Sequence, residues 1–420
     1  MTDALLGGVN PVPAPEPERE PARGVGDWLR RNLFRSVADG VVTVVAAVII
    51  GYLLFRLARY VFVTGRWEVV RLNLRLIMVG GYPADELWRI VVVVIATAGF
   101  AGLLAGFVHR RQELAGTAQT HRNPGDYLVR LALRTWPVLL GAALLLSMTR
   151  TLGPTVMVVA AVASAVLGRL AGPRMPRQAA PLLALVGVAG FVAALWFLAR
   201  PLPWDDWGGI MLNVVLAICG ITLCFPLGVL LALGRRSKLP LVRAVCIGYI
   251  ELFRGVPLYV LLLMGFLALG FFTPTWLDSP GYMVRAVVVF TLFTAAYVAE
   301  IVRGGLQSLP RGQTEAGQAL GLSPVRVTVL IVLPQAIRNV IPALVGQFIS
   351  LFKDTLLAAA AMPLFDAVAA SESAVGQPAF SGQQLDAEAL SFVMLLFWIG
   401  CITMSRESQR LERRLGVGTR

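Results

Sequence analysis

Long apolar runs punctuated by short arginine-bearing segments repeat along nearly the whole chain. They occupy residues 41–63, 87–108, 128–148, 152–167, 181–198, 208–233, 247–271, 284–303, 336–361 and 389–404. A hydrocarbon core of about 30 Å takes about 20 helical residues to cross, so the pattern predicts an all-α integral membrane protein with about ten transmembrane helices. The third and fourth runs are separated by so few residues that they predict a tight helical hairpin or one broken, re-entrant element. The composition agrees: 57% of the residues are hydrophobic and 15% charged, and the mean hydropathy is +0.73, far from a soluble domain.

The arginines set the orientation, because basic residues in short loops favour the cytoplasmic side. Arg30, Arg31 and Arg35 precede the first span; Arg110, Arg111 and Arg122 follow the second; Arg169, Arg174 and Arg177 follow the fourth; Arg235, Arg236, Lys238 and Arg243 follow the sixth. With alternating spans all of these fall inside, as does the tail SRESQRLERRLGVGTR, so both termini are expected to be cytoplasmic. One segment dissents. Residues 65–82 carry Arg66, Arg71 and Arg75 but fall outside, and an amphipathic helix lying in the membrane interface would reconcile them. The Pro- and Glu-rich start, with its PVPAPEPEREP run, has too little apolar surface to fold and predicts a disordered tail. No signal-peptide core opens the chain, so the first span is expected to act as an uncleaved anchor.

The net charge of +13 is therefore mostly topology, since the arginines flank apolar spans and form no basic, aromatic-interleaved face for nucleic acid. The two lysines, Lys238 in RRSKLP and Lys353 in LFKDT, fit no phosphate-gripping loop. With only His109 and His121 and no HExxH or GxSxG, acid–base enzymology has little material. Cys219, Cys224, Cys246 and Cys401 lie in or beside spans without a CxxC pair, which predicts buried free thiols and neither a metal site nor a disulfide.

The most informative stretch is polar: QSLPRGQTEAGQALGLSPVRVTVLIVLP, residues 307–334, between two apolar runs. It contains Glu315-Ala316-Gly317, then Gly321 four residues later, and Pro334 closes it. This resembles the cytoplasmic "EAA" loop of bacterial ABC importer permeases. Three further strings stand in the order found in permeases of polar amino acid ABC importers: GITLCFPLGVLLALGRRS, YIELFRGVPLYVLLLM and IVLPQAIRNVIPALVGQFISLFKDT, with AAYVAEIVRGG leading into the loop. The extra spans ahead resemble the longer permease of general L-amino acid uptake systems. The departures are Gly317 where the family usually has Ala, Leu356-Leu357 where many relatives follow Thr355 with Ser, and a longer run of spans over 128–198.

The resemblance implies a C-terminal five-helix type I ABC importer permease core over residues 207–406, with an N-terminal extension of extra helices over 37–206, a cytoplasmic tail over 1–36 and a basic one over 407–420. It implies a multi-pass protein of the bacterial cytoplasmic (inner) membrane that takes up amino acids, polar or broad-range L-amino acids, from a substrate-binding protein. The implied partners are a pair of ATPase subunits that carry the ATP and Mg, and a second permease making a heterodimer; the chain itself is implied to be no enzyme and to bind no cofactor. Within residues 307–334 the implied ATPase-coupling residues are Arg311, Gly312, Gln313, Glu315, Ala316, Gly317, Ala319, Leu320, Gly321 and Pro334.

The residues make physical sense of such a loop. A short helix beginning near Thr314 places Glu315 in its first turn, where the helix dipole favours it, and Gly321-Leu322-Ser323-Pro324 ends it. Ala316, Gly317 and Ala319 are small enough to let another protein approach the backbone. Charges inside spans are costly unless paired or wetted. Glu251 with Arg254 and Glu300 with Arg303 sit three apart and predict ion pairs near the cytoplasmic boundary, a structural role preferred over substrate contact. Lys353, Asp354 and Thr355 are candidates for a polar pathway, and Pro257 predicts a bend that opens space. An ATP-independent secondary transporter or channel is the alternative, but its expected inverted repeats are not seen.

Overall fold

A computed structural model of the chain describes residues 26, 29, 32–114, 124–149, 152–274 and 278–415. Most of the expected N-terminal tail, and Arg122, lie outside the described residues. The chain divides into two compact units, Met1–Gly65 and Arg66–Arg420.

The first unit is built on helix α1, Val37–Arg59, prolonged by a π-helical turn at Tyr60–Thr64. Ser36 caps it by accepting the Asp39 N–H, and none of its residues is buried. An uncovered apolar helix of this length is what a lipid-facing span looks like in isolation.

The second unit begins with two short helices, α2 (Glu68–Leu72) and α3 (Leu74–Val79). Then come α4 (Leu87–Leu114), α5 (Pro124–Met148), α6 (Leu152–Ala171) and α7 (Ala180–Ala199). The remainder comprises α8 (Gly209–Arg235), α9 (Pro240–Gly255), α10 (Leu258–Ala268) and α11 (Tyr282–Gln307). Helices α12 (Gly312–Ala319), α13 (Pro324–Val327), α14 (Leu333–Asp354) and α15 (Ala358–Ala361) follow. A two-residue strand β1 (Phe365–Asp366), α16 (Ala367–Val375) and α17 (Asp386–Leu415) complete it.

Eight helical segments among the described residues are long and apolar enough to cross a bilayer, or nine if one bent pair counts as a span. Two of the ten apolar runs account for the difference from the sequence expectation. Run 128–148 falls in α5, of which Thr135–Met148 is described as a shorter apolar helix, and run 247–271 is the bent pair, α9 and α10 meeting at 107°. Val256-Pro257 makes the break, because proline excludes an α-helical conformation from the residue before it and offers no N–H to continue the ladder. The third and fourth runs are two separate helices, and their main partners are not each other: α6 lies along α4, and α5 along α17. Helix α17 also continues through most of the segment expected to be a tail, to Leu415.

The α4/α6 contact is a seam of small residues. A Cβ added at Gly102 would overlap the Ala165 carbonyl, one at Gly168 the Gly99 carbonyl, and one at Gly172 the Leu103 carbonyl. Ser164 donates its hydroxyl to Ile95 O across the seam at 3.0 Å. Two backbones approach this closely only where neither carries a side chain at the crossing.

Segment 66–82, expected to be an amphipathic helix, forms the two short helices α2 and α3. Val69, Val70 and Ile77 are fully buried in a cluster with Ala374, Phe392 and Phe397 of α16 and α17, while Arg71 and Arg75 remain exposed. Its amphipathic face therefore packs on protein. Gln377 donates to Asn73 Oδ1 at 2.7 Å, and the Arg66 N–H to Glu388 at 3.2 Å. The chain then threads Trp207–Gly209 between Gly80 on one side and Phe365-Asp366 on the other. Gly80 and Gly209 both have φ of +61° there, and any Cβ at either would meet backbone.

Candidate functional site

The polar stretch 307–334 resolves into three pieces. Helix α12 is eight residues long with Glu315 in its first turn. It starts at Gly312, two residues earlier than expected, and ends in a Schellman turn: Leu322 N–H bonds Gly317 O at 3.2 Å, Gly321 N–H bonds Gln318 O at 2.9 Å, and Gly321 has φ of +78°. Ser323 then caps α13, with Pro324 in its first turn. A π-helical turn at Thr328–Val332 joins α13 to α14. Segment 324–361 is thus continuous enough to form one span, so the connection proper is 308–323. Pro334 sits in the first turn of α14, where a missing N–H is tolerated.

Helix α12 stands on the base of the next span. Every residue from Arg311 to Leu320 is exposed except Gly317. A Cβ at Gly317 would lie 2.9 Å from Val327 and 3.1 Å from Ile331. The glycine therefore serves the chain's own packing, and the small surface it was expected to offer a partner is turned inward. What α12 presents outward is Ala316, Ala319 and Leu320, the last 80% exposed, with Val325 nearby in sequence at 71%. Gln335 pins the arrangement, bonding Gln313 Oε1 at 3.2 Å and Ile331 O at 2.9 Å. The packing roles of Gln335, Val327 and Ile331 were not visible in the sequence.

Behind α12, at the same end of the bundle, one carboxylate gathers three helices. Glu300 of α11 accepts Arg303 Nε at 2.9 Å and Nη2 at 2.7 Å, is bonded by Arg235 of α8, and lies 3.9 Å from Arg254 of α9. Its side chain is 15% exposed. Arg254 also lies over the Tyr297 ring at 5.6 Å, and Arg303 donates to Gln307 at 2.7 Å. The pairing expected between Glu251 and Arg254 is not made: Glu251 faces Arg235 at 3.5 Å. Arg235, arriving from the end of α8, brings a closer cation to Glu251, and Arg254 turns instead toward Glu300 and Tyr297. Nothing in the local spacing announced Arg235 as the central cation.

At the far end of α14 the KDT string splits in function. Lys353 is exposed and Asp354 half-buried. Thr355 is fully buried; its hydroxyl donates to Phe352 O at 2.7 Å and accepts from Asn213 Nδ2 at 3.2 Å. Asn213 Oδ1 in turn accepts the Ala367 N–H at 3.0 Å. Asp366, fully buried beside them, caps α16 through the Val368 and Ala369 amides at 2.9 and 3.0 Å, and takes the Ala359 amide at 3.3 Å. Burial pushes its carboxyl above the usual range, against the pull of those amides. Thr355 is thus a buried connector of α8, α14 and α16, which removes it from any pathway lining.

No group of three His, Cys, Asp or Glu side chains among the described residues is arranged to hold a metal. The four cysteines are free, with Cys219 and Cys224 buried and Cys246 and Cys401 partly so.

Residues 224–417 match the family described as "Binding-protein-dependent transport system inner membrane component". The chain is 34% identical over 96% of its length to the glutamate/glutamine/aspartate/asparagine transport system permease protein BztC of Rhodobacter capsulatus, of which it covers 96%. It is 45% identical over 51% of its length to the inner membrane amino-acid ABC transporter permease protein YhdY of Escherichia coli, of which it covers 57%. Among solved structures, a crystal structure of an amino acid ABC transporter with histidines aligns with 49% of the chain at 26% identity, covering 91% of that chain, with a TM-score of 0.43.

Proposed function

The chain belongs to the inner membrane components of binding-protein-dependent transport systems, the permeases of ABC importers, and from that premise we propose that it takes up polar or broad-range L-amino acids. The substrate class is supported by relatives whose names specify amino acids. In this reading residues 207–406 are the permease core and 37–206 an extension. A substrate-binding protein delivers the cargo, a pair of separate ATPase subunits binds ATP and Mg, and a second permease completes a heterodimer. Both termini, α12 and the Glu300 cluster face the cytoplasm, consistent with the basic residues that follow α8. Lys353 and Asp354, at the opposite end of α14, line the passage.

The observation that carries this reading is α12: a solvent-facing helix, ended by a Schellman turn, that buries only Gly317 and presents Ala316, Ala319 and Leu320 together. A short helix with one exposed apolar anchor is a recognisable peptide ligand for a cleft. The test is Leu320→Asp. ATPase co-purification in mild detergent and stimulation of hydrolysis by loaded binding protein should both be lost, while the second permease still co-purifies. Wild-type stimulation in the variant would refute the docking role. Lys353→Ala should lower uptake without loss of assembly; unchanged uptake would remove that residue from the passage.

A further inference from the structure

Beside the Glu300 cluster lies a cleft of about 430 Å³ lined by Arg235, Arg236, Arg243, Ile247, Arg303 and Gln307. Four cations converge there, and no carboxylate lines it among the described residues. Glu300 bonds Arg235 and Arg303 and leaves N–H groups of both to donate elsewhere. Arg236 and Arg243 are exposed, and neither guanidinium has an ion-pair partner among the described residues. Arg243 also occupies the first turn of α9, which holds no acidic residue and has no side-chain cap. A cation at that pole is opposed by the helix dipole, and the uncapped amides want an acceptor. An anion seated here would pair with the guanidiniums that line the cleft.

The surroundings specify what carries the anion. Ile247 lines the cleft itself, and Leu239, one turn before Arg243 and accepting its N–H at 3.1 Å, is 63% exposed, an apolar edge against which acyl chains can lie. The geometry points to this cleft as a binding site for the phosphate of an anionic phospholipid in the leaflet on the α12 side of the membrane. Basic pockets between spans at a membrane boundary recognise such head groups by paired guanidinium–phosphate hydrogen bonds. The proposal needs the chain to be membrane-embedded but is independent of its substrate and of its ATPase.

Native mass spectrometry of the purified importer complex in neutral detergent, titrated with short-chain phosphatidylglycerol or phosphatidylcholine, reads the site without transport. Wild-type complex should retain phosphatidylglycerol at roughly thirtyfold lower concentration than the Arg236→Gln/Arg243→Gln double variant, and Arg243→Gln alone should lose roughly fivefold. Phosphatidylcholine should be held weakly and equally by all three. Equal phosphatidylglycerol retention in wild type and both variants would overturn the site. Inorganic phosphate added as competitor separates the two sources of the same chemistry. Displacement of the lipid at equal concentration would overturn the lipid assignment in favour of free phosphate, and failure to displace it supports the lipid.

Discussion

The helices of the extension and those of the core are equally apolar but are held together by different means. In the extension, α6 lies against α4 through Gly99, Gly102, Gly168 and Gly172, with one Ser164 hydroxyl bond across the seam. Little else is covered: 6% of the apolar stretch of α6 and 11% of that of α7 is buried. In the core, 44% of α8 and 56% of α11 is buried over the same measure, and the contacts include Asn213, Thr355, Asp366 and Glu300. Lipid offers no hydrophobic gain for helix association, so the choice lies between close backbone approach and polar ties. The α4/α6 seam of the extension uses the first. The core adds the second, which fixes the relative registry of its helices.

The largest effect tests the glycine seam. In Gly102→Leu the overlap is with the Ala165 backbone, which no rotamer change relieves, so α4 and α6 should part at a cost of about 3 kcal/mol. A disulfide engineered across the seam should then fail to form, while the core still assembles with its partners. An unchanged crosslink would show that the seam is not what joins them. In the core, Glu300→Ala leaves three arginines without their shared carboxylate and should cost about 2 kcal/mol, allowing for their access to water. Apparent melting temperature of the purified complex reads this, and an unshifted value would mean the cluster ties nothing.

Asn213→Ala strands the Ala367 amide and one lone pair of Thr355, for about 1.5 kcal/mol. The smallest effect is Asp366→Asn, which keeps an acceptor for the α16 amides. Its interest is in pH. Burial holds the folded carboxyl above its unfolded value, so Asp366 contributes stability that is complete below the unfolded pKa and fades as pH rises through the folded one. The melting temperature of wild type relative to the variant should therefore increase as pH falls from about 7 to about 4. A difference that shrinks instead would show that the amides, and not burial, dominate.

What the sequence disclosed was local. All ten apolar runs have helical counterparts, and the Gly321-Leu322-Ser323-Pro324 string ended α12 by the turn chemistry its residues dictate. What it withheld depends on partners distant in the chain. Thr355 looked like pathway because its neighbours are charged, but its partner Asn213 is 142 residues away. In the sequence Arg235 is one of many topogenic arginines; the fold delivers it to Glu300, 65 residues on. Segment 66–82 showed amphipathicity correctly, yet periodicity cannot say whether an apolar face meets lipid or the side of α17. In the sequence Gly317 suggests a surface kept small for a partner; in the fold it is small for Val327.

That last contact has a mechanical consequence. An eight-residue helix is too short to persist on its own in water, so α12 exists as a helix only while Gly317 rests on Val327 and Ile331. Those two residues belong to the turn and π-helical segment from which α14 rises. A displacement applied to α12 can therefore be accommodated in two ways: the helix melts, or it drags the foot of the span with it. Gln335, gripping both Gln313 and Ile331, weights the outcome toward the second, and the small helix behaves as the short arm of a lever whose long arm ends at Lys353.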